Sequence, residues 1–234
     1  MIRIEKTDVY GWEHAIRGMR NPMNSWYKSD SGYAQCADGD CMDCSLSNGA
    51  HGCKWSINDS IPFNIGPNDL ALMRKLAQAG TDHRKFMRMI VVYCDITAPL
   101  YWWKEYDTYK VGTVANSCST MHKIHAKEFT MDDFSHERMT DGCRDVLYDI
   151  IEGLNFERQN FLETQEKKYW ENMIQLLPTS YNQKRTVMLN YEVLCNIYKS
   201  RKSHKLDEWR ELCHWIEQLP YSGLITGKEG EADG

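Results

Sequence analysis

Two groups of polar residues in this sequence have types and spacing that could do chemistry. The run from Gly112 to Met121 offers hydroxyls, an amide and backbone N–H groups with few bulky side chains, so it can approach a polar ligand closely. Asn190 and Arg201 form the second group. Their spacing brings both back to one face of a helix, because each residue turns about 100°. On one helix they would place an amide and a guanidinium about 16 Å apart, which suits an extended, charged ligand such as a dinucleotide.

Both groups also have simpler explanations. The run from Gly112 to Met121 is also what a polar loop after a helix would contain. Arg201 is also a cation near the end of a predicted helix, where the helix dipole favours positive charge, and Asn190 can be a solvated polar residue. The residue types alone leave these alternatives open.

A cysteine cluster predicts a metal site of its own. Its four members are Cys36, Cys41, Cys44 and Cys53. Thiolates bind Zn²⁺ in closed tetrahedral sites, and a C-x2-C spacing lets two sulfurs reach one ion. The opening C-x4-C-x2-C is also found in plant-type iron–sulfur proteins, although their fourth cysteine is farther away. A structural zinc, an iron–sulfur cluster and unligated thiols all remain possible interpretations.

Composition and charge limit the classes of function. The chain has 234 residues and a formal net charge of −5, so no polybasic surface indicates duplex nucleic acid as a partner. The first residues carry charges throughout and form no apolar stretch typical of a secretory signal, and no window approaches eighteen apolar residues. We therefore expect no membrane segment, a cytoplasmic protein and reduced cysteines.

Two predicted elements that position these residues, a strand and a helix, meet at Pro99. Met89 to Ile96 is a nearly continuous apolar run, which predicts a buried strand. Proline fits the end of a strand and the first turn of a helix, and Leu100 to Lys110 then has helical spacing.

The remaining pattern predicts one domain over residues 1–234. The first part should contain a strand at Met1–Val9, a helix at Gly11–Met19, an irregular insertion at about 20–67 that holds the cysteines, and a helix at Pro67–Ala79. The second part should be helical over Asp141–Leu176, with a break near Gly153, and should contain helices at Tyr181–Lys202 and Leu206–Gln218. The tail at about 222–234 should fray.

The central segment resembles the flavin-dependent thymidylate synthases, the ThyX family, whose signature RHRxxSxNExSxRY follows an Ala-Pro strand end. Here Ala98-Pro99 ends the strand, and Lys104-Glu105 falls where the family has Arg-Gln. The signature itself is matched by Thr108-Tyr109-Lys110 for RHR, Thr113 for the first Ser, Asn116 for the Asn, Ser117 for the Glu, Ser119 for the second Ser and Met121-His122 for Arg-Tyr, with one extra residue allowed.

A second segment matches the same family. Its motif NxRSLxxFLxLR follows a Leu-Pro, and this chain has Leu177-Pro178 and later NYEVLCNIYKSR at 190–201. Asn190, Asn196 and Arg201 keep the spacing, whereas Glu192 replaces an arginine. His204 and 207–209 then resemble the family's HAQWEI. The resemblance covers roughly 70–215.

This resemblance implies an α+β fold in which a central antiparallel sheet is flanked by long helices. It also implies a homotetramer that uses FAD, NADPH and methylenetetrahydrofolate to methylate dUMP at C5. By position, the FAD-binding residues would be Tyr109, Lys110, Asn190 and Asn196. The nucleotide would contact Glu105, Ser119 and Arg201, of which Arg201 and Ser119 would assist catalysis.

The departures from the family keep other functions open. Thr108, Met121 and Ile174 replace arginines that would form bidentate contacts to phosphate and base. Glu105 replaces a glutamine, and a carboxylate cannot donate the hydrogen bonds of an amide. The alternatives to a thymidylate synthase are an enzyme of the same fold that acts on another pyrimidine nucleotide, and a non-catalytic nucleotide-binding or assembly protein.

Overall fold

The computed structural model describes residues 2–33, 63–109 and 111–228. The chain divides into two compact units. The larger unit comprises Met1–Asp8, Val92–Leu189 and Asn196–Leu219, and the smaller unit comprises Val9–Val91, Asn190–Cys195 and Pro220–Gly234. The predicted single domain therefore stays a prediction.

A four-stranded sheet forms the centre of the fold. Its strands are β1 (Arg3–Tyr10), β4 (Val91–Pro99), β5 (Val114–Ser117) and β6 (Asn182–Asn190), arranged in the order β1-β4-β6-β5. β5 and β6 pair antiparallel, with Asn116 opposite Thr186 and Ser117 opposite Arg185. Two short strands, β2 (Gly32–Tyr33) and β3 (Phe63–Asn64), form a separate antiparallel pair.

Helices supply most of the remaining structure. They are α1 (Trp12–Arg20), α2 (Pro67–Gln78), α3 (Leu100–Tyr106), α4 (Asp141–Thr164), α5 (Lys167–Leu176), α6 (Tyr191–Arg201), α7 (Asp207–Glu217) and α8 (Gly223–Thr226). Sheet and helices together confirm the predicted α+β class, and α8 lies inside the stretch for which fraying is expected. No helix in the described part of the chain is both long and apolar enough to cross a membrane.

The strand-to-helix junction at Pro99 is confirmed. Pro99 has extended backbone angles and stands immediately before α3. The first N–H groups of α3 would lack partners inside the helix. Leu100 and Tyr101 instead donate to the carbonyls of Tyr181 and Thr179, at 3.0 Å in both cases. The segment after Leu177-Pro178 therefore fixes where the aromatic helix begins.

The predicted helix at Tyr181–Lys202 is wrong in its first half. Residues 182–190 form β6, which pairs with β5. Their burial follows the strand: Gln183, Val187 and Leu189 are buried, whereas Thr186 is exposed. An alternation of two residues suits a strand and cannot give a helix a continuous apolar face. Asn190 consequently ends a strand and is not part of the helix that carries Arg201.

The predicted break near Gly153 is also wrong, because α4 continues to Thr164 and ends with Gln165 in the left-handed region. A helical glycine costs about 1 kcal/mol relative to alanine. Packing outweighs this cost, since Leu147, Ile151 and Leu154 join one buried cluster. Its members are Ile124, Phe129, Phe134, Leu147, Ile151, Leu154 and Met173.

In the smaller unit, a buried carboxylate joins α2 to the end of α1 and to the residues that follow it. Asp69 on α2 is fully buried and accepts hydrogen bonds from Arg20 Nε at 2.5 Å, Ser29 Oγ at 2.7 Å and Ser31 Oγ at 2.6 Å. Burial of a charge costs free energy unless it is paired and hydrogen-bonded. Asp69 meets both conditions, so it organises the irregular segment after α1.

Candidate functional site

Arg201 lies at the end of α6 and is the centre of the candidate site in the larger unit. Its Nη1 donates to Glu105 Oε1 at 2.5 Å, and its Nε donates to the Tyr109 hydroxyl at 2.8 Å. The guanidinium also lies 4.7 Å from the centre of the Trp209 ring, which is within cation–π range. Three of the residues predicted to bind ligand, Glu105, Tyr109 and Arg201, are therefore in contact.

Tyr109 reaches Arg201 because α3 ends earlier than predicted. The helix stops at Tyr106, and the Thr108 hydroxyl donates to the Glu105 carbonyl at 2.8 Å, which satisfies one of the carbonyls left at the helix end. The chain then turns, with the N–H of Tyr109 donating to the carbonyl of Tyr106 at 2.9 Å. Tyr109 therefore lies outside the helix, and its phenol hydroxyl faces Arg201.

Glu105 accepts hydrogen bonds on both carboxylate oxygens. Trp209 Nε1 donates to Oε2 at 2.7 Å, while Arg201 occupies Oε1. His204 lies nearby, with Nε2 3.6 Å from Oε1, and its Nδ1 accepts from the N–H of Leu206 at 3.1 Å. In the neutral imidazole that acceptor role places the hydrogen on Nε2, facing Glu105.

Trp209 and His204 also belong to the site, although the sequence analysis assigned no role to either residue. Both come from the segment that resembles HAQWEI. Trp209 is fully buried on α7 and packs against Trp102, with ring centres 4.8 Å apart. A buried indole usually requires a partner for its N–H, and that requirement is the signal that could have paired it with a carboxylate.

The surroundings of Arg201 favour its charged form. Burial alone would lower the pKa of Arg201, but the hydrogen bond to Tyr109 and the negative charge of Glu105 raise it above its ordinary value. The side chains of Arg201 and Glu105 are only 17% and 31% exposed, so water screens their attraction incompletely. The Glu105 side chain is therefore more accessible to a ligand than the Arg201 side chain.

Ser119 follows β5 and is exposed. Its Oγ accepts hydrogen bonds from the N–H groups of Met121 at 3.2 Å and His122 at 2.9 Å, which forms a local turn. No contact between Ser119 and Arg201 is found among the described residues. The hydroxyl hydrogen of Ser119 is still available to donate, because both bonds use only its oxygen.

A polar chain connects the Ser119 loop to α3 through β6. Gln183 donates from Nε2 to the backbone carbonyl of Cys118 at 2.9 Å, and the backbone carbonyl of Gln183 accepts from Trp103 Nε1 at 2.8 Å. Arg185 stacks 4.2 Å from the Trp103 ring and donates to Asp107 at 2.8 Å. These contacts hold the loop, the strand and the aromatic helix in fixed positions within the larger unit.

The other predicted cofactor residues have different surroundings. Asn196 is exposed on α6 in the larger unit. Asn190 belongs to the smaller unit, is buried, and accepts from the N–H of Val193 at 3.0 Å, so its amide oxygen caps the start of α6. Lys110 and the four cysteines 36, 41, 44 and 53 lie outside the described residues. Within the described ranges, no group of three or more His, Cys, Asp or Glu is arranged to hold a metal ion.

Glu192, which stands where the resembled family has arginine, is paired inside the smaller unit. Arg84 approaches both of its oxygens, with Nε 2.7 Å from Oε2 and Nη2 3.1 Å from Oε1. Arg84 Nη1 also donates to Cys195 Sγ at 3.3 Å. The unit therefore contains a guanidinium near this turn of α6, supplied by a different residue.

Comparison with solved structures identifies the fold. Two crystal structures of the flavin-dependent thymidylate synthase ThyX from Helicobacter pylori, both complexed with FAD and dUMP, superpose with TM-scores of 0.61 and 0.62. The chain has the fold of the flavin-dependent thymidylate synthases. The superpositions cover 96% and 97% of this chain and 97% of each Helicobacter chain, at 14% sequence identity. No model of a known protein family and no curated protein sequence matches the chain.

Proposed function

We propose that this protein is a flavin-dependent enzyme that transfers a one-carbon unit to C5 of a pyrimidine nucleotide. The reaction of the resembled family, methylation of dUMP with methylenetetrahydrofolate and NADPH, is the reference for this proposal. The observation that carries it is the contact of Glu105, Tyr109 and Arg201. These three residues come from two segments matched independently by sequence, and they meet within one unit of a ThyX fold.

Arg201 would act on the nucleotide. Its planar guanidinium is held by Glu105 and Tyr109 and can donate a further hydrogen bond to a carbonyl of the pyrimidine. Positive charge beside that carbonyl stabilises the negative charge that develops as C5 becomes nucleophilic. Because the guanidinium is oriented before the substrate arrives, little reorganisation is needed during the reaction.

Ser119 would orient the substrate. Its oxygen is occupied by two backbone N–H groups, so its hydroxyl can only donate towards a ligand. This pattern suits an acceptor such as a phosphate or carbonyl oxygen. In the family such sites are assembled from several subunits, and we expect a homotetramer here as well.

The residues in the larger unit suit a flavin. The Tyr109 hydroxyl accepts from Arg201 and retains its hydrogen for donation. Asn196, which the resemblance also assigns to the flavin, is exposed on α6 in the same unit. FAD, when bound, would supply the reducing equivalent that the transferred carbon needs, after reduction by NADPH. Flavin binding by Asn190 and Lys110 stays a prediction.

Flavin absorbance tests this proposal directly. The purified protein should bind FAD, and NADPH should bleach the visible flavin absorbance in the absence of oxygen. Addition of a pyrimidine deoxynucleotide and methylenetetrahydrofolate should restore it. Arg201→Lys should slow that reoxidation at least tenfold, because lysine lacks the planar fork, whereas Arg144→Lys on the exposed side of α4 should not change it. Failure to bind FAD would refute the proposal and favour a non-catalytic nucleotide-binding protein.

A further inference from the structure

The guanidinium of Arg201 uses only part of its hydrogen-bonding capacity within the protein. An arginine side chain has five N–H donors. Nε donates to the Tyr109 hydroxyl at 2.8 Å, and Nη1 donates to Glu105 Oε1 at 2.5 Å. No other described residue accepts from this guanidinium, so both N–H groups of Nη2 and the second N–H group of Nη1 can donate to a ligand.

The pair of Glu105 and Arg201 is joined by one hydrogen bond. A guanidinium and a carboxylate frequently form two parallel N–H···O bonds, because the planar fork of the first matches the two oxygens of the second. Two such bonds here would occupy a further N–H group of Arg201 with Glu105 Oε2. The number of donors left for a ligand therefore depends on what holds Oε2.

Trp209 holds this oxygen. Its Nε1 donates to Glu105 Oε2 at 2.7 Å, and the fully buried indole cannot turn its N–H elsewhere without repacking. The Trp209 ring packs against Trp102, with ring centres 4.8 Å apart, and the Arg201 guanidinium lies 4.7 Å from its centre. One side chain thus contacts the carboxylate through its N–H group and the guanidinium through its ring.

We infer that Trp209 is a positioning residue, which keeps Arg201 available to the nucleotide by holding the second oxygen of Glu105. Without the indole N–H, Oε2 would lose its donor and should turn to a further N–H group of Arg201, because a partly shielded acceptor is costly to leave unpaired. The inference rests on the proposed function, in which Arg201 contacts the nucleotide. It does not depend on which pyrimidine base the nucleotide carries.

Trp209→Phe tests the inference, because it removes the N–H group and keeps an aromatic ring. Calorimetric titration of the FAD-loaded wild-type protein with dUMP and with dCMP selects the nucleotide that binds more tightly. Trp209→Phe should weaken binding of that nucleotide about tenfold, in line with loss of one charge-assisted hydrogen bond from Arg201. Thermal unfolding establishes that the variant is folded.

Trp102→Phe is the matched control. Trp102 is also fully buried, but its Nε1 has no hydrogen-bond partner among the described residues. The same substitution there should leave nucleotide affinity unchanged. In a Glu105→Ala background, Trp209→Phe should cause no further loss of affinity, because the carboxylate through which it acts is absent. A merely structural role of Trp209 would weaken binding equally in both backgrounds.

Crystal structures test the geometry directly. Nucleotide-free Trp209→Phe should show both Glu105 oxygens bonded to Arg201. The wild-type complex with FAD and nucleotide should show the nucleotide accepting from Arg201 while Trp209 still donates to Oε2, and this measurement requires no variant. A single Glu105–Arg201 bond in Trp209→Phe, or unchanged affinity, would overturn the role of Trp209 and leave the proposed function in place. Binding of neither dUMP nor dCMP by the FAD-loaded wild-type protein would overturn both.

Discussion

Glu105 on α3 and Arg201 at the end of α6 form an ion pair with an N–O distance of 2.5 Å, although 96 positions separate them in the chain. Trp209 completes the arrangement, because its indole donates to the same carboxylate and its ring lies against the same guanidinium. Three segments of the larger unit are thereby joined at one point, which suggests that this point matters for both stability and ligand binding.

The first prediction concerns the stability contributed by Arg201. Arg201→Ala leaves the Glu105 carboxylate without its cation and should lower the free energy of unfolding by about 2 kcal/mol. Arg201→Lys should restore only part of that loss, since lysine keeps the charge but not the planar fork or the stacking on Trp209. Urea unfolding followed by tryptophan fluorescence measures both changes.

Arg144→Ala provides the control for this prediction. Arg144 pairs with Asp141 at the exposed start of α4. Exposed ion pairs contribute little, so this variant should change the free energy of unfolding by less than about 0.5 kcal/mol. A loss from Arg201→Ala no larger than that of the control would show that the Glu105 pair does not stabilise the fold.

The second prediction concerns Asp69 and acid. Burial alone would raise the pKa of Asp69, but hydrogen bonds from Ser31, Ser29 and Arg20 hold the pKa below its usual value. Its stabilising effect is therefore present above the unfolded-state pKa, about 3.9. It is lost as the pH falls through the lower pKa of the folded state.

Asp69→Asn isolates that contribution. The substitution leaves the buried Arg20 without a counter-charge and should lower the free energy of unfolding near neutral pH by about 3 kcal/mol. The difference between wild type and variant should shrink as the pH falls from about 4 towards 2. Unfolding curves across this range measure it, and a difference that stays constant with pH would contradict the assigned role.

The third prediction concerns the Arg84–Glu192 pair. Both side chains are largely shielded, at 15% and 8% exposure, so removal of either partner leaves an uncompensated charge. Arg84→Ala and Glu192→Ala should each lower the free energy of unfolding by about 3 kcal/mol. The double variant should lose clearly less than the sum, because the second removal takes away the charge that the first left unpaired.

Exchange of the two residues tests how the dipole of α6 affects the pair. Arg84→Glu combined with Glu192→Arg restores opposite charges but places a cation in the first turn of α6, where the helix dipole favours an anion. We expect partial recovery relative to Glu192→Arg alone. Additive losses in the alanine cycle, with no recovery on reversal, would show that the two residues do not interact.

The fourth prediction concerns Cys36, Cys41, Cys44 and Cys53. If they form a structural zinc site, protein purified without added metal should contain about one zinc per chain by elemental mass spectrometry. Cys44→Ser should release it, whereas Cys143→Ser, which replaces an exposed cysteine on α4, should not. Zinc-free wild-type protein with four reactive thiols in this segment would refute the site, and iron with sulfide would indicate a cluster instead.

Local pattern in the sequence was sufficient for several elements. The apolar run before Pro99 predicted a buried strand, and β4 is buried at most of its positions. Pro67 predicted the start of α2, and the spacing of apolar residues predicted α7. These signals are local, because they depend on backbone restriction and on which face of one element is apolar.

Tertiary contacts overrode local pattern elsewhere. Gly153 and Asn155 predicted a helix break, yet Asn155 turns its side chain away from its own backbone and bonds both the N–H and the carbonyl of Phe129, at 2.9 Å each. Residues 182–190 had polar side chains compatible with a helix, but pairing with β5 made them a strand. In both places, a partner distant in sequence supplied the decisive hydrogen bonds.

The sequence alone determined which residue types stand in the two matched segments, and therefore that Glu105 replaces an amide and Arg201 keeps its guanidinium. Only the tertiary structure decided that these two residues meet, and that Trp209 occupies the second oxygen of Glu105. The physical reason is that a hydrogen bond depends on distances of about 3 Å between atoms, which local spacing cannot define across such a separation in the chain.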